Sequence, residues 1–91
     1  MNISGDELAY VRSIRQRYAE ALLRKANVVG VGIGIQEPDE DEERAPRVVL
    51  VVSVTHKVKH KYLHWKDVIP SRVEDVPVRV EAIGHLQAQD D

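Results

Sequence analysis

Cysteine and phenylalanine are missing from this chain, and its aromatic residues amount to Trp65 and three tyrosines. The lack of cysteine excludes a disulfide framework and any thiolate-held metal, which fits a reducing compartment. With so few aromatic rings, the core has to be assembled from valine, isoleucine and leucine. No apolar run approaches the ~20 residues of a membrane span. The opening MNISGDELAY carries acids early and has no apolar h-region, so no signal peptide is expected and the expected setting is cytoplasmic. There is no basic excess either: the net charge of −2 speaks against general nucleic-acid binding.

What remains is enough for one folded domain. Ninety-one residues leave no room for a second, and 43% hydrophobic with 31% charged residues marks a globular chain rather than a disordered one. A domain of this size buries a modest share of its surface, so self-association would help it.

The residues are organised around Asn27 to Gln36, NVVGVGIGIQ. Val29, Val31, Ile33 and Ile35 alternate with Gly30, Gly32 and Gly34, the period of a strand with one branched face and one bare face. Glycines weaken a strand, so the bare face implies the close approach of something else. Ahead of it, Ser4 and Glu7 have the spacing of a capping box. Leu8, Val11, Ile14, Tyr18, Ala21 and Leu22 then recur at three- and four-residue steps, predicting an amphipathic helix over 5–25.

The strand 27–36 is followed by a loop at 37–46, bracketed by Pro38 and Pro46, which holds Glu37, Asp39, Glu40, Asp41, Glu42 and Glu43. Residues 47–58 read as a second strand. Val48, Leu50, Val52 and Val54 form one face and Val49 and Val51 the other, and a strand apolar on both sides usually has both sides covered. A short helix or turn is expected over 59–69. Val76, Val78 and Val80 alternate with Pro77, Arg79 and Glu81 in a third strand, 76–83, before a frayed tail at 85–91. The expected fold is α+β, a two-layer sandwich in the order α-β-β-(short α)-β, with the helix packed on a small, mainly antiparallel sheet.

Four candidate sites can be weighed on residue chemistry. Gly30, Gly32 and Gly34 do not form a phosphate loop, because the third glycine is one residue early, no helix follows and the next charges are acidic. His56, His60 and His64 are spaced by four and would share a face on a continuous helix, where they could hold Zn²⁺ or Ni²⁺. The strand pattern through His56 breaks that face, and no interleaved carboxylate orients the rings. A solvated basic segment is the favoured reading, with no metal and no cofactor expected. Lys57, Lys59, Lys61 and Lys66 form a basic patch with Tyr62 and Trp65 nearby, a pattern open to nucleic acid but short of a wide basic face. Trp65 is expected to cap the core. For hydrolysis, none of Ser4, Ser13, Ser53 and Ser71 lies in a nucleophile elbow, so no enzyme is expected.

NVVGVGIGIQ, then VVLVVSVTHKV, then LHWKDVIPSRVEDVPVRVEAIG resembles the segment at the start of bacterial serine peptidases with a trypsin-like fold. Those proteins show a helix, a glycine-alternating strand, a valine-rich strand and an I-P…V-x-G-V-P-x-x-V motif. The likeness covers about residues 18–84. Asp75 stands where that family usually has glycine before V-P-V, and the acidic run replaces a glycine-rich loop. A trypsin-like fold needs two barrels, so no catalytic residue carries over, and the resemblance implies a freestanding, non-catalytic accessory domain. The combined expectation is an interaction domain that pairs with itself or another protein through Gly30, Gly32, Gly34, Val49 and Val51, should the strand register place them on one face.

Overall fold

A computed structural model describes residues 4–84, the side chain of His60 excepted. The predicted tail 85–91 lies outside the described residues. Helix α1 (Gly5–Leu23) leads into β1 (Val28–Gln36) and β2 (Arg47–Val54). Two single-turn 3₁₀ segments (His60–Tyr62 and Trp65–Asp67), the two-residue β3 (Arg72–Val73) and β4 (Val76–Ala82) follow. The strands form one sheet in the order β1-β2-β4-β3, with the helix packed on one face. The α+β sandwich is as expected.

Ser4 caps the helix, its Oγ accepting from the Glu7 N–H at 3.0 Å. The Glu7 carboxylate accepts instead from Val48 N–H, at 3.0 Å, and so ties the first turn to the start of β2. Val11, Ile14 and Leu22 are buried against the sheet, with Leu8 and Tyr18 packed beside them. The helix ends at Leu23, short of the predicted Lys25, because Asn27 adopts φ 69° and turns the chain back into β1.

Between β1 and β2 the pairing is antiparallel, from Val28↔Val54 at one end to Gln36↔Arg47 at the other. A bulge at Val29 shifts the register, so that Val28, Val31 and Ile33 face the helix while Val29 is exposed. That departs from the unbroken alternation, which put Val29 on the apolar face. β2 then pairs with β4 in parallel, from Leu50↔Val78 to Val54↔Ala82, and only β3 and β4 pair antiparallel again. The sheet is therefore mixed, with two of its three pairings antiparallel.

Strand β2 stops at Val54 rather than Val58. Thr55 N–H donates to the Asn27 carbonyl at 3.0 Å, and beyond it β1 offers no further ladder. Val48, Leu50, Val52 and Val54 are the core of the helix side, joined by Val73 and Val76 below one half and by Ile69 and Val80 at the other.

Candidate functional site

The register Gly30↔Ser53, Gly32↔Val51 and Gly34↔Val49 places all five predicted contact residues on one face of the sheet, the face turned away from α1. No second layer covers it among the described residues. The three glycines nevertheless differ in their surroundings. A Cβ on Gly34 would stand 2.7 Å from Val51 Cγ2 and 2.8 Å from Arg79 Nη2. Arg79, projecting from β4 on this face, crosses β2 and its Nη1 donates to the Ile35 carbonyl at 3.3 Å. The bareness of Gly34 thus admits the chain's own guanidinium. Its direct partner Val49 is fully buried. On Gly30 a Cβ would make ordinary contact with Ser53 at 3.7 Å. On Gly32 it would meet nothing within 4 Å among the described residues.

Arg79 Nε lies 2.9 Å from Glu81 Oε2 but is not aligned for a hydrogen bond. β1 is an edge strand, and the edge is blunted from both sides: Arg15 Nε donates to the Val31 carbonyl at 2.8 Å from the helix side, Arg79 to Ile35 from the other.

The charged segments lie at opposite ends of the sheet. The loop 37–46 leaves from the Gln36↔Arg47 end, and the basic segment from the Val28↔Val54 end. Within the loop, Glu42 Oε1 accepts from Asp39 N–H at 2.8 Å and its Oε2 pairs with Arg44 at 3.3 Å. The backbone donor first, and the arginine second, hold the Glu42 carboxyl below its ordinary value. Lys57, Lys59, Lys61 and Lys66 are all exposed.

Trp65 does not cap the core: it is 81% exposed, and Tyr62 is 71% exposed. Leu63 and Ile69 turn inward instead, toward Val54 and Val80. Trp65 lies with its ring centroid 5.5 Å from that of His64, and Lys61 Nζ is 5.1 Å from the Tyr62 ring centre. A cavity of about 230 Å³ lies beneath this segment, walled by Val54, Val58, Leu63, Ile69 and Val80, with His56 and Lys57 alongside. That is below the ~300 Å³ at which small-molecule sites usually begin.

His56 follows the end of β2 in a bend, and His64 caps the second turn, its Nδ1 accepting from Lys66 N–H at 3.3 Å. With His60 in the first turn, the three do not share one helix, and no group of three His, Cys, Asp or Glu among the described residues is placed to hold a metal. Ser4 serves as a cap, and Ser13 Oγ donates to the Tyr10 carbonyl at 2.6 Å. Ser53 sits opposite Gly30 on the open face.

The turn between β3 and β4, invisible as a site in the sequence, is anchored to the helix. Glu74 adopts φ 56°, and its Oε2 accepts from Arg17 at 2.9 Å and from Tyr18 at 2.7 Å; Tyr10 donates to Asp75 at 2.6 Å. Acceptance by Asp75 and Glu74 raises the Tyr10 and Tyr18 hydroxyls above the ordinary tyrosine value.

No helix among the described residues is long and apolar enough to cross a membrane. Comparison with known protein families, with curated proteins and with solved structures finds no match.

Proposed function

We propose that this chain is a non-enzymatic protein-interaction domain that self-associates through the open face of its sheet. The observation that carries this reading is Gly32. It sits mid-strand, where a side chain would strengthen the pleated surface, yet among the described residues no atom lies within 4 Å of where its Cβ would stand. The bareness of Gly34 has an internal cause in Arg79; that of Gly32 has none among the described residues. A partner pressing on Gly30, Gly32, Val51 and Ser53 would supply one. Packing through the face is preferred to pairing through the edge of β1, because Arg15 and Arg79 already occupy carbonyls there. A cytoplasmic setting belongs to the same proposal, supported by the lack of cysteine. So does a peptidase-associated accessory role, on the strength of the NVVGVGIGIQ and IP–VPV motifs.

Sedimentation velocity over a wide concentration range tests it. The wild-type chain is expected to pass from monomer to dimer as concentration rises. Gly32→Val is expected to leave the melting transition intact, since the site has room for it, and to remove the dimer. A wild-type chain that stays monomeric throughout, or a Gly32→Val chain that associates like wild type, ends the proposal.

A second reading, single-stranded nucleic acid on the basic segment, is favoured by one observation: the exposure of Trp65 and Tyr62 amid four lysines. Trp65 is the only tryptophan, so its fluorescence reports directly on the segment. RNA titrated at low salt should quench it, with an affinity that falls as salt rises; a flat titration removes this reading.

A further inference from the structure

We infer that the cavity beneath the connection from β2 to β3 binds short aliphatic carboxylates, with the hydrocarbon inside and the carboxylate at Lys57. The cavity lies on the helix side of the sheet, so this goes beyond the self-association proposed above and does not rest on it. Val54 and Val80 form its floor, at the end of the sheet where α1 stops at Leu23. Val58, Leu63 and Ile69 wall it from the connection. All five are aliphatic, and none offers a polar atom to hold a water there. Val58, Leu63, Ile69 and Val80 are only half-buried, although they line the interior, so they leave apolar surface that a hydrocarbon would remove from water. The volume sets the size of the occupant. About 230 Å³ falls short of a drug-sized ligand, yet exceeds the ~150 Å³ of an apolar cavity that takes a benzene ring. A chain of about six carbons therefore fits.

The head group follows from the mouth. Ala26, His56 and Lys57 are the exposed residues of the lining. Lys57 forms no ion pair among the described residues, which leaves its ammonium to an incoming anion. Asn27 accepts from Thr55 Oγ1 through its Oδ1 at 3.4 Å, and its amide N–H₂ group is left to donate. The one carboxylate of the lining, Asp67, is engaged by the protein itself: its Oδ1 accepts from the Ala26 N–H at 3.0 Å. Residues 56–67 hold Lys57, Lys59, Lys61 and Lys66 against Asp67 alone, so the local field favours an anion over an amine.

Butanoate, pentanoate and hexanoate, titrated as sodium salts at constant ionic strength, test this. The methyl resonances of Val54, Leu63, Ile69 and Val80 report on the cavity. Binding should saturate and tighten about fourfold with each added methylene, as burial of one CH₂ requires. Hexylamine should bind about tenfold more weakly than hexanoate, since it cannot accept from Lys57. Lys57→Glu changes an exposed residue, so it should melt like wild type and lose about tenfold in affinity for hexanoate. Val58→Phe sets a ring into the cavity and should melt no lower than wild type while binding nothing. Gly32→Val lies on the other face and should bind like wild type, whatever its oligomeric state. Shifts that do not saturate, or affinities that do not rise with chain length, overturn the inference. So do hexylamine binding as tightly as hexanoate, a Lys57→Glu chain that binds like wild type, and a folded Val58→Phe chain that still binds. Binding lost in a folded Gly32→Val chain overturns it as well, by placing the ligand on the open face.

Discussion

Gly30, Gly32 and Gly34 look equivalent in the sequence, and the structure separates them. The separation depends on Arg79, a residue 45 positions from Gly34 whose reach across β2 no local pattern reveals. A methyl group at Gly34 presses on the stiff, β-branched Val51 as well as on Arg79, and overpacking of this kind costs ~1–3 kcal/mol. At Gly32 the same methyl meets open space and restricts the unfolded chain, which is worth ~0.4–1 kcal/mol in the stabilising direction where the backbone allows it. Chemical denaturation of Gly34→Ala and Gly32→Ala is therefore expected to move the midpoint in opposite directions. Equal shifts would show that Arg79 does not lie where the structure places it. The residue scale also explains the misplaced tryptophan. An indole in a segment between apolar strands looks like core, but here Leu63 and Ile69 take the inward positions and Trp65 is presented outward.

Elements long enough to show a period were legible: α1 through its apolar stripe, β1 and β2 through alternation. β3 was not, since two residues carry no period, and its turn lacks the glycine that usually marks a left-handed position. Glu74 takes that conformation at a cost of ~1 kcal/mol, offset by anchors on α1 that lie more than fifty residues away in sequence. These anchors give the element a pH dependence. Tyr10 and Tyr18 titrate above the ordinary 10.0 when folded, mainly because Asp75 and Glu74 accept from their hydroxyls. A raised folded value means the contribution is complete below 10.0 and disappears as pH climbs through the raised values. Thermal melts in alkaline buffer should then show wild type losing more stability with pH than the chain carrying Tyr10→Phe and Tyr18→Phe. Parallel losses would mean that the two phenols do not hold the turn. At the same end of the sheet the helix also ties Val48 through Glu7, so α1 clamps both the start of β2 and the β3–β4 turn.

At the scale of the whole molecule, the separation of the acidic loop from the basic segment follows from the order of charges along the chain, because an antiparallel pair sends the loop that joins its strands and the segment that leaves the second strand to opposite ends. The parallel run of β4 does not. It depends on the connection from Thr55 to Asp75 carrying the chain back to the starting end of β2, and nothing in its residues fixes that path. β2 is consequently the one strand flanked on both sides over most of its length, and it carries both halves of the core. Leu50, with Val11, Ile14, Val48, Val73 and Val76, forms one half; Val52, with Leu22, Val28, Val31 and Val54, forms the other. Tyr18 and Val78 pack against both halves. Since adjacent residues of one inner strand serve the two halves, neither can lose its packing while the other keeps its backbone ladder. A domain of this kind has a total stability of ~5–15 kcal/mol. Leu50→Ala removes ~2–5 kcal/mol of it, and Val52→Ala ~2 kcal/mol once the cavity is included. Both are expected to lower the same single transition, with an unchanged denaturant slope and with Trp65 fluorescence and far-ultraviolet circular dichroism moving together. If either substitution splits the transition, or makes the two probes diverge, the halves fold separately and the strand does not couple them.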